Sequence, residues 1–217
     1  MKMRLLPLLA LAAVTSGCTD TVFESQPSDS VASCDTHFVG KWRLLSSDSK
    51  DKNDRLFVIV DPDCKRWHFI EDGKEDESIA RTTHFAFAQV GGKPLLTVKV
   101  DPEKKNENDA QARWHDGYFY FRYEFADQEI HLHAVDDRRV AHLIIDDKIQ
   151  GRSERVSKQP GSARSGNSEL HNFVAGKPEE MARVAQLDGV FADADVYVLK
   201  PASKAEIFKR SKLSAKP

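Results

Sequence analysis

Two histidines separated by one residue, His131 and His133, are the side chains in this sequence best placed for metal chemistry. In an extended strand both imidazoles lie on one face, about 7 Å apart. Zinc sites use such a pair when another segment supplies a third ligand. The candidates for that ligand are His84, His115 and His142. The alternative is that both rings face solvent on a strand whose other face is apolar. We favour this alternative, so no metal is expected.

The usual catalytic and nucleotide-binding motifs are missing from the sequence. It contains no Gly-x-Ser-x-Gly, no His-Glu-x-x-His, no Cys-x-x-Cys and no glycine-rich phosphate loop. Carboxylates are numerous, but they cluster in charged stretches that are typical of a solvated surface. We therefore expect no catalytic residues, no cofactor and a protein that is not an enzyme. An enzyme with an unfamiliar site is the alternative.

The first seventeen residues predict a secretory signal peptide. Lys2 and Arg4 precede an apolar run from Leu5 to Val14, and a run of about ten residues is the length of a signal h-region. A membrane-spanning helix needs roughly 20 apolar residues. Residues 1–17 are therefore expected to direct export and to be removed.

The signal segment ends with Ser16 and Gly17 in front of Cys18. Small residues before a cysteine resemble the lipobox of bacterial lipoproteins, in which the chain is cut before the cysteine and the cysteine receives palmitate-type acyl chains. The resemblance implies that Cys18 anchors the protein to a membrane by lipid. Because Thr19 rather than Asp follows, it also implies an outer-membrane lipoprotein that faces the periplasm. The alternative is ordinary secretion with cleavage near Ala13.

Two stretches lack the pattern of a folded segment, residues 18–36 and residues 200–217. The first is rich in Ser, Asp and Pro. It buries too little apolar area to offset its ordering entropy, so we expect a lipidated flexible tether. The second holds six basic residues and one acidic residue and is expected to be a disordered basic tail, with contact to anionic lipid as the alternative. A single β-rich domain then spans residues 37–199.

Two cysteines remain once Cys18 is assigned to lipid. Because the periplasm is oxidising, Cys34 and Cys64 are expected to form a disulfide. The bridge would close a loop of about 30 residues, and such a loop stabilises by a few kcal/mol in the chain-entropy model. The alternative is a pair of unbonded thiols.

Most of the chain after residue 38 alternates short strands with turns. The expected strands are 39–46, 56–61, 66–71, 82–89, 94–100, 117–125, 129–135, 148–156 and 194–200. This spacing predicts a mainly β fold, an antiparallel meander that closes into a barrel or sandwich. In the C-terminal third, residues 137–146 form a strand or a helix. Short helices are expected at 168–175 and 178–187.

Gly40 and Trp42 open the first strand of this region, in the sequence Phe38-Val39-Gly40-Lys41-Trp42. Gly-x-Trp at this place resembles the first signature of lipocalins and lipocalin-like bacterial lipoproteins. The resemblance implies an up-and-down barrel in which Trp42 plugs one end and Gly40 lets the chain pack closely beneath it. The alternative is that Trp42 is a plain core aromatic. The residues expected to line the barrel are Phe57, Ile59, Trp67, Phe69, Phe85, Phe87, Phe119, Phe121, Tyr123 and Phe125.

Charge and motifs together favour a non-enzymatic binding function. The formal net charge is −2 and basic residues concentrate after Leu199, so the rest of the chain is acidic, which argues against nucleic acid. The first hypothesis is a lipocalin-like module that binds an apolar small molecule or lipid near the membrane. The second is a periplasmic protein partner, as for an inhibitor or immunity protein against a cell-wall-targeting hydrolase or toxin. Its contacts would be the charged residues 101–112 and exposed Tyr118 and Tyr120.

Overall fold

The computed structural model describes residues 19–30, 34–46, 56–64, 66–71, 74–75, 84–99, 117–157 and 168–207. The strands in these ranges are β1 Thr19–Phe23, β2 Gly40–Ser46, β3 Leu56–Val60, β4 Trp67–Glu71, β5 Lys74–Glu75, β6 His84–Val90, β7 Lys93–Lys99, β8 Tyr118–Ala126, β9 Glu129–Ala134, β10 Gly151–Ser157, β11 Ser168–Val174 and β12 Tyr197–Pro201. The helices are α1 Asp137–Ile145, α2 Pro178–Val184 and α3 Lys204–Ile207, with a 3₁₀ turn at Thr36–Phe38. None of the helices in these ranges is long and apolar enough to cross a membrane.

Eight strands form an up-and-down meander. Their hydrogen-bonded order is β6-β7-β8-β9-β12-β2-β3-β4, and every neighbouring pair is antiparallel. The last strand, β12, returns to pair with β2, so that Tyr197 lies opposite Ser46. Between β4 and β6 the described residues form no ladder. The prediction of a mainly β meander is confirmed, and its strand order is compatible with a barrel that has one seam without backbone hydrogen bonds.

A second layer packs on the outer face of β6, β7 and β8. It consists of β10, β11 and β1 together with α1 and α2. Strand β1 runs parallel to β11 and meets β8 at one pair, Phe23 opposite Tyr118. The two layers share a core of buried residues, which are Phe23, Ala88, Val90, Leu95, Tyr120, Val140, Leu143, Ile149, Val174, Met181, Ala182, Val184, Ala185, Val190 and Phe191.

The prediction of a flexible tether over residues 18–36 is wrong for the part of that segment that the structure describes. Its first residues form β1, in which Phe23 is 0% exposed and stacks on Tyr120 with ring centroids 3.9 Å apart. The polar residues of β1 fit between strands because they are hydrogen-bonded. The Thr21 hydroxyl donates to Asp137 Oδ1 at 2.6 Å. Composition misled here because the hydrogen-bond partners of these polar residues come from distant segments. Cys18 itself lies outside the described residues.

The expected disordered tail, residues 200–217, is also folded at its start. Lys200 and Pro201 end β12, and α3 follows. Ser203 and Glu206 cap this short helix reciprocally, since the Ser203 N–H donates to Glu206 Oε2 at 2.8 Å and the Glu206 N–H donates to Ser203 Oγ at 3.3 Å. Ile207 is 1% exposed and packs in a small core outside the meander. The β-rich unit therefore extends beyond the predicted bounds of 37–199 at both ends.

The helix expected at residues 168–175 is a strand, β11. It pairs with β10 on one edge and with β1 on the other. Asn172 is 0% exposed, and its amide donates to Thr21 Oγ1 at 3.0 Å and to the Asp137 carbonyl at 2.8 Å. Pairing on both edges outweighs the local capping pattern that suggested a helix. The ambiguous segment 137–146 is a helix, α1, whose N-cap Asp136 accepts from the Arg139 N–H at 2.9 Å.

Candidate ligand-binding site

Phe38 and Trp42 close one end of the meander. Phe38 is 0% exposed, and its ring centroid lies 5.0 to 5.4 Å from three aromatic rings of the interior. The Trp42 indole N–H donates to the Phe38 carbonyl at 2.7 Å. Gly40 adopts a φ of +142°, which favours glycine, whereas a Cβ there would lie 3.7 Å from the Trp42 ring, an ordinary contact. Backbone conformation, rather than lack of space beneath Trp42, is therefore what requires glycine at this position.

A disulfide between Cys34 and Cys64 lies at the same end of the meander. The sequence predicted this pairing. Their Cα atoms are 4.9 Å apart. Cys64 belongs to the turn between β3 and β4, where its N–H donates to the Asp61 carbonyl at 2.9 Å. The bridge therefore ties the chain that leads into Phe38 to this turn.

A hydrogen-bond network centred on Asp35 adjoins the disulfide. The buried Tyr123 hydroxyl donates to Asp35 Oδ2. His37 lies on the other carboxylate oxygen, with its backbone N–H at 3.0 Å and its Nδ1 at 2.7 Å from Oδ1. Burial by itself would raise the pKa of Asp35, but the hydrogen bonds from Tyr123 and His37 and the charge of His37 outweigh it and lower that pKa. Burial, followed by the bond to Asp35 and its charge, raises the pKa of Tyr123 well above its ordinary value. The network therefore pairs an ionised Asp35 with a neutral Tyr123.

The interior of the meander is filled largely by the aromatic residues that the sequence singled out. Trp67, Phe69, Phe87, Phe121 and Tyr123 are buried in one core, and Phe85 and Phe119 pack against it half-buried. Other strands complete this core with Phe38, Trp42, Leu44, Val58, Val60, Leu96, Val98, Ile130, Leu132, Tyr197 and Leu199. The interior of the meander is therefore packed with side chains from the closed end towards the opposite end, where Tyr197 and Phe121 also belong to the core.

Three residues expected in the interior lie elsewhere. Phe57 and Ile59 face away from the meander core and pack with Ile70 and Ile207. Strand β3 is apolar on both faces, so the period of two does not tell which face is the inner one. Phe125 is 48% exposed because it lies near the end of β8, beyond the packed aromatic core at the closed end.

Half-buried apolar side chains gather at the opposite end of the meander. Because the strands alternate in direction, this end holds the starts of β3, β6, β8 and β12 and the end of β9. The five side chains, which we call the apolar rim, are Leu56, Phe85, Phe119, Ala134 and Val196. Each packs against the meander core and keeps part of its surface open. The rim was not predicted from the sequence, since it depends on which strand ends meet.

The gap between β4 and β6, which we call the seam, is bridged by aromatic side chains. Trp67 of β4 stacks on Phe85 of β6 with centroids 4.0 Å apart and ring planes 13° apart. Phe69 lies 6.4 Å from the same Phe85 ring. Trp67 is 6% exposed, and its buried Nε1 has no hydrogen-bond partner among the described residues. The seam therefore combines an apolar surface with one donor that lacks an acceptor.

The two histidines of β9 do face outward, and Asp195 lies between them. Its Oδ2 is 2.7 Å from His131 Nδ1 and its Oδ1 is 3.4 Å from His133 Nε2. Sequence reasoning missed Asp195, which precedes β12 and lies 64 residues from His131. Of the ligands considered, His142 is exposed on α1, while His115 and the side chain of His84 lie outside the described residues. In the part of the chain that the structure describes, no three His, Cys, Asp or Glu side chains form a group that could hold a metal ion.

The contacts expected for a protein partner are only partly available. Tyr120 is 1% exposed and its hydroxyl donates to the Ser25 carbonyl at 2.5 Å, so the expectation that it is exposed is wrong. The second layer covers this face of β8, and Tyr118 is half-buried there. Residues 101–112 lie outside the described residues. The Phe125 ring is exposed instead and lies 5.0 Å from the ring of His37.

The rim and the seam offer apolar contact and one hydrogen-bond donor. Comparisons of the chain with models of protein families, with curated proteins and with solved structures found no match. The function proposed below therefore rests on the residues and geometry of this chain.

Proposed function

We propose that this protein is a lipid-anchored, non-enzymatic binding module, lipocalin-like in arrangement, that takes up an apolar small molecule or lipid at the apolar rim. The observation that carries the proposal is the difference between the two ends of the meander. One end is closed by Phe38, Trp42 and the disulfide, whereas the other presents the five half-buried side chains of the rim. Covering exposed apolar surface is favourable by about 25 cal/mol per Å². A ligand with apolar surface that covers the five rim side chains together would therefore bind favourably there.

The lipocalin-like part of the proposal is supported by the strand order and by the two signature residues. Strand β12 returns to pair with β2, as the first and last strands of an up-and-down barrel do. Trp42 lies at the closed end, and Gly40 has a backbone conformation that favours glycine. The place of Trp42 is the one that the Gly-x-Trp resemblance implies, whereas Gly40 is favoured by its backbone conformation and not by the close packing that the resemblance implies.

A lipid anchor at Cys18, in the outer membrane and facing the periplasm, would hold the module directly on the membrane surface. Strand β1 begins at Thr19, and one residue spans at most about 3.6 Å. There is then no tether between the acylated residue and the folded unit. This closeness supports a ligand that is taken from, or passed to, the membrane.

A second function, binding of a periplasmic protein, is favoured by the exposed aromatic pair at the closed end. Phe125 is 48% exposed and the side chain of His37 is 57% exposed. Aromatic side chains of this kind are typical anchors of protein interfaces. In that case the partner, such as a cell-wall hydrolase, contacts the closed end and leaves the rim free.

The proposal is tested with diphenylhexatriene, a fluorescent hydrocarbon, and the mature chain carrying Cys18→Ser, which leaves out the acyl chains. Two variants of the same strand are compared, Phe119→Gln at the rim and Phe125→Gln at the closed end. We expect Phe119→Gln to raise the Kd by roughly tenfold, because about 50 Å² of apolar contact is lost. Phe125→Gln should leave the Kd unchanged.

Urea unfolding of both variants controls for loss of fold. If the parent chain binds no probe, or if the two variants bind alike, the rim is not a ligand site. Loss of a periplasmic partner in Phe125→Gln, with probe binding absent throughout, would support the protein-interaction function instead.

A further inference from the structure

We propose that the indole N–H of Trp67 is the polar anchor of the ligand. It would donate a hydrogen bond to an oxygen of an acyl-type molecule, either a carboxylate or an ester carbonyl, that enters at the seam. This inference rests on the proposed function and adds the chemistry that the ligand must carry. A pure hydrocarbon would cover the apolar side chains of the rim but would leave this donor without a hydrogen bond.

The two buried tryptophans of the meander core differ in one respect. The Trp42 N–H is paired with the Phe38 carbonyl at 2.7 Å. The Trp67 N–H is equally buried, since both residues are 6% exposed, but it has no partner among the described residues. Buried polar groups are nearly always hydrogen-bonded, and an orphaned donor calls for an explanation such as a missing ligand. Trp42 therefore serves as an internal reference for Trp67.

Three aromatic rings lie close to Trp67. Phe85 stacks on it at 4.0 Å, Phe38 lies at 5.4 Å and Phe87 at 6.5 Å between ring centroids. None of these side chains carries a hydrogen-bond acceptor oxygen. A ligand group that enters here must therefore be compatible with aromatic surface and bring its own acceptor, as the head of an acyl chain does.

The seam offers a route to this donor. In the described part of the chain, β4 and β6 are joined by the Trp67–Phe85 stack and not by backbone hydrogen bonds. Among the described residues the edge of β4 that faces β6 pairs only with β5, at Ile70 and Glu71, whereas every other neighbouring pair of the meander shares a ladder. Trp67 begins β4 opposite Val60, on the side of the closed end. The rim residue Phe85 stacks on it, so the Phe85 ring is the contact that connects the rim to the Trp67 donor.

The test compares three fluorescent probes on the chain carrying Cys18→Ser. Parinaric acid offers a carboxylate, its methyl ester offers a neutral carbonyl, and diphenylhexatriene offers no oxygen. Trp67→Phe removes the donor and keeps a ring of similar character. We expect this variant to raise the Kd of parinaric acid, of its ester or of both by about tenfold, which corresponds to one hydrogen bond. The Kd of diphenylhexatriene should stay unchanged.

Trp42→Phe is the matched control, because it removes an indole N–H that is already paired. We expect it to lower stability without changing the preference for the oxygen-bearing probes. If Trp67→Phe weakens the binding of parinaric acid alone, the ligand group is a carboxylate. If it weakens the binding of both acyl probes, the ligand group is a carbonyl. Equal weakening of all three probes by Trp67→Phe, or no weakening, overturns the role of Trp67 and leaves the proposed function standing. Failure of the parent chain to bind any probe overturns both.

Discussion

Replacing Tyr123 by Phe removes one hydroxyl from the closed end and leaves the packing of the ring in place. The hydroxyl donates to Asp35 Oδ2, and Tyr123 is 5% exposed. Hydrogen bonds to charged groups contribute about 1.5–3 kcal/mol to stability. We therefore expect Tyr123→Phe to lower the free energy of unfolding by that amount at pH 7.

The loss of unfolding free energy in Tyr123→Phe should depend on pH because Asp35 is ionised in the folded state. Its pKa is lowered from the ordinary value of 3.8, so the stabilisation is fully present above that value. It disappears as the pH falls through the lower pKa of the folded state, where Asp35 becomes protonated. Below that point a neutral hydrogen bond of about 0.5–1.5 kcal/mol remains, so the difference between parent and variant should shrink by about half.

Urea unfolding at pH 7 and at successively lower pH measures this difference directly. With a slope of about 2 kcal/mol per M, the midpoint of Tyr123→Phe should fall by about 0.7–1.5 M at pH 7. Tyr118→Phe, on the same strand, is the control, and we expect a change within about 0.5 kcal/mol. A Tyr123→Phe difference that is small at pH 7, or that stays constant down to acid pH, would show that the bond to an ionised Asp35 does not stabilise the fold.

Two further substitutions test the parts of the fold on which the site depends. Phe23→Ala should lower stability by about 3–5 kcal/mol in urea unfolding, because its ring is fully buried against Tyr120. Cys34→Ser together with Cys64→Ser should lower it by about 3.7 kcal/mol, the chain-entropy value for a separation of 30 residues, and reductant should lower the Tm of the parent only.

Phe125→Ala controls for the first substitution, since this ring is 48% exposed, and its effect should be small. If Phe23→Ala is equally mild, β1 is not part of the folded unit and residues 18–36 are a tether after all. For the disulfide, an unchanged Tm of the parent in reductant would contradict the bridge.

The meander could be predicted from the sequence because its signal is local. Short runs that are apolar or alternate between apolar and polar residues, separated by turn residues, mark these strands, and β3, β4, β6, β7, β8 and β9 begin within two residues of the predicted positions. The cysteine pair and the Gly40–Trp42 signature were also visible as residue types at particular places. These features depend on neighbours in the chain, which a sequence displays directly.

The parts of the proposed site were decided by tertiary structure. Strands β1 and β11 pair across about 150 residues, with Thr19 opposite Leu170, and their polar side chains are buried by partners that local patterns do not reveal. The rim exists because strand ends from five places meet at one end of the meander. The hydrogen bond proposed for Trp67 depends on the absence of acceptor atoms from the side chains that surround its ring. Each of these is a property of residues brought together by long-range pairing. The sequence by itself therefore determined the strands of the meander, and the tertiary structure decided β1, β11 and the side chains that meet at the rim.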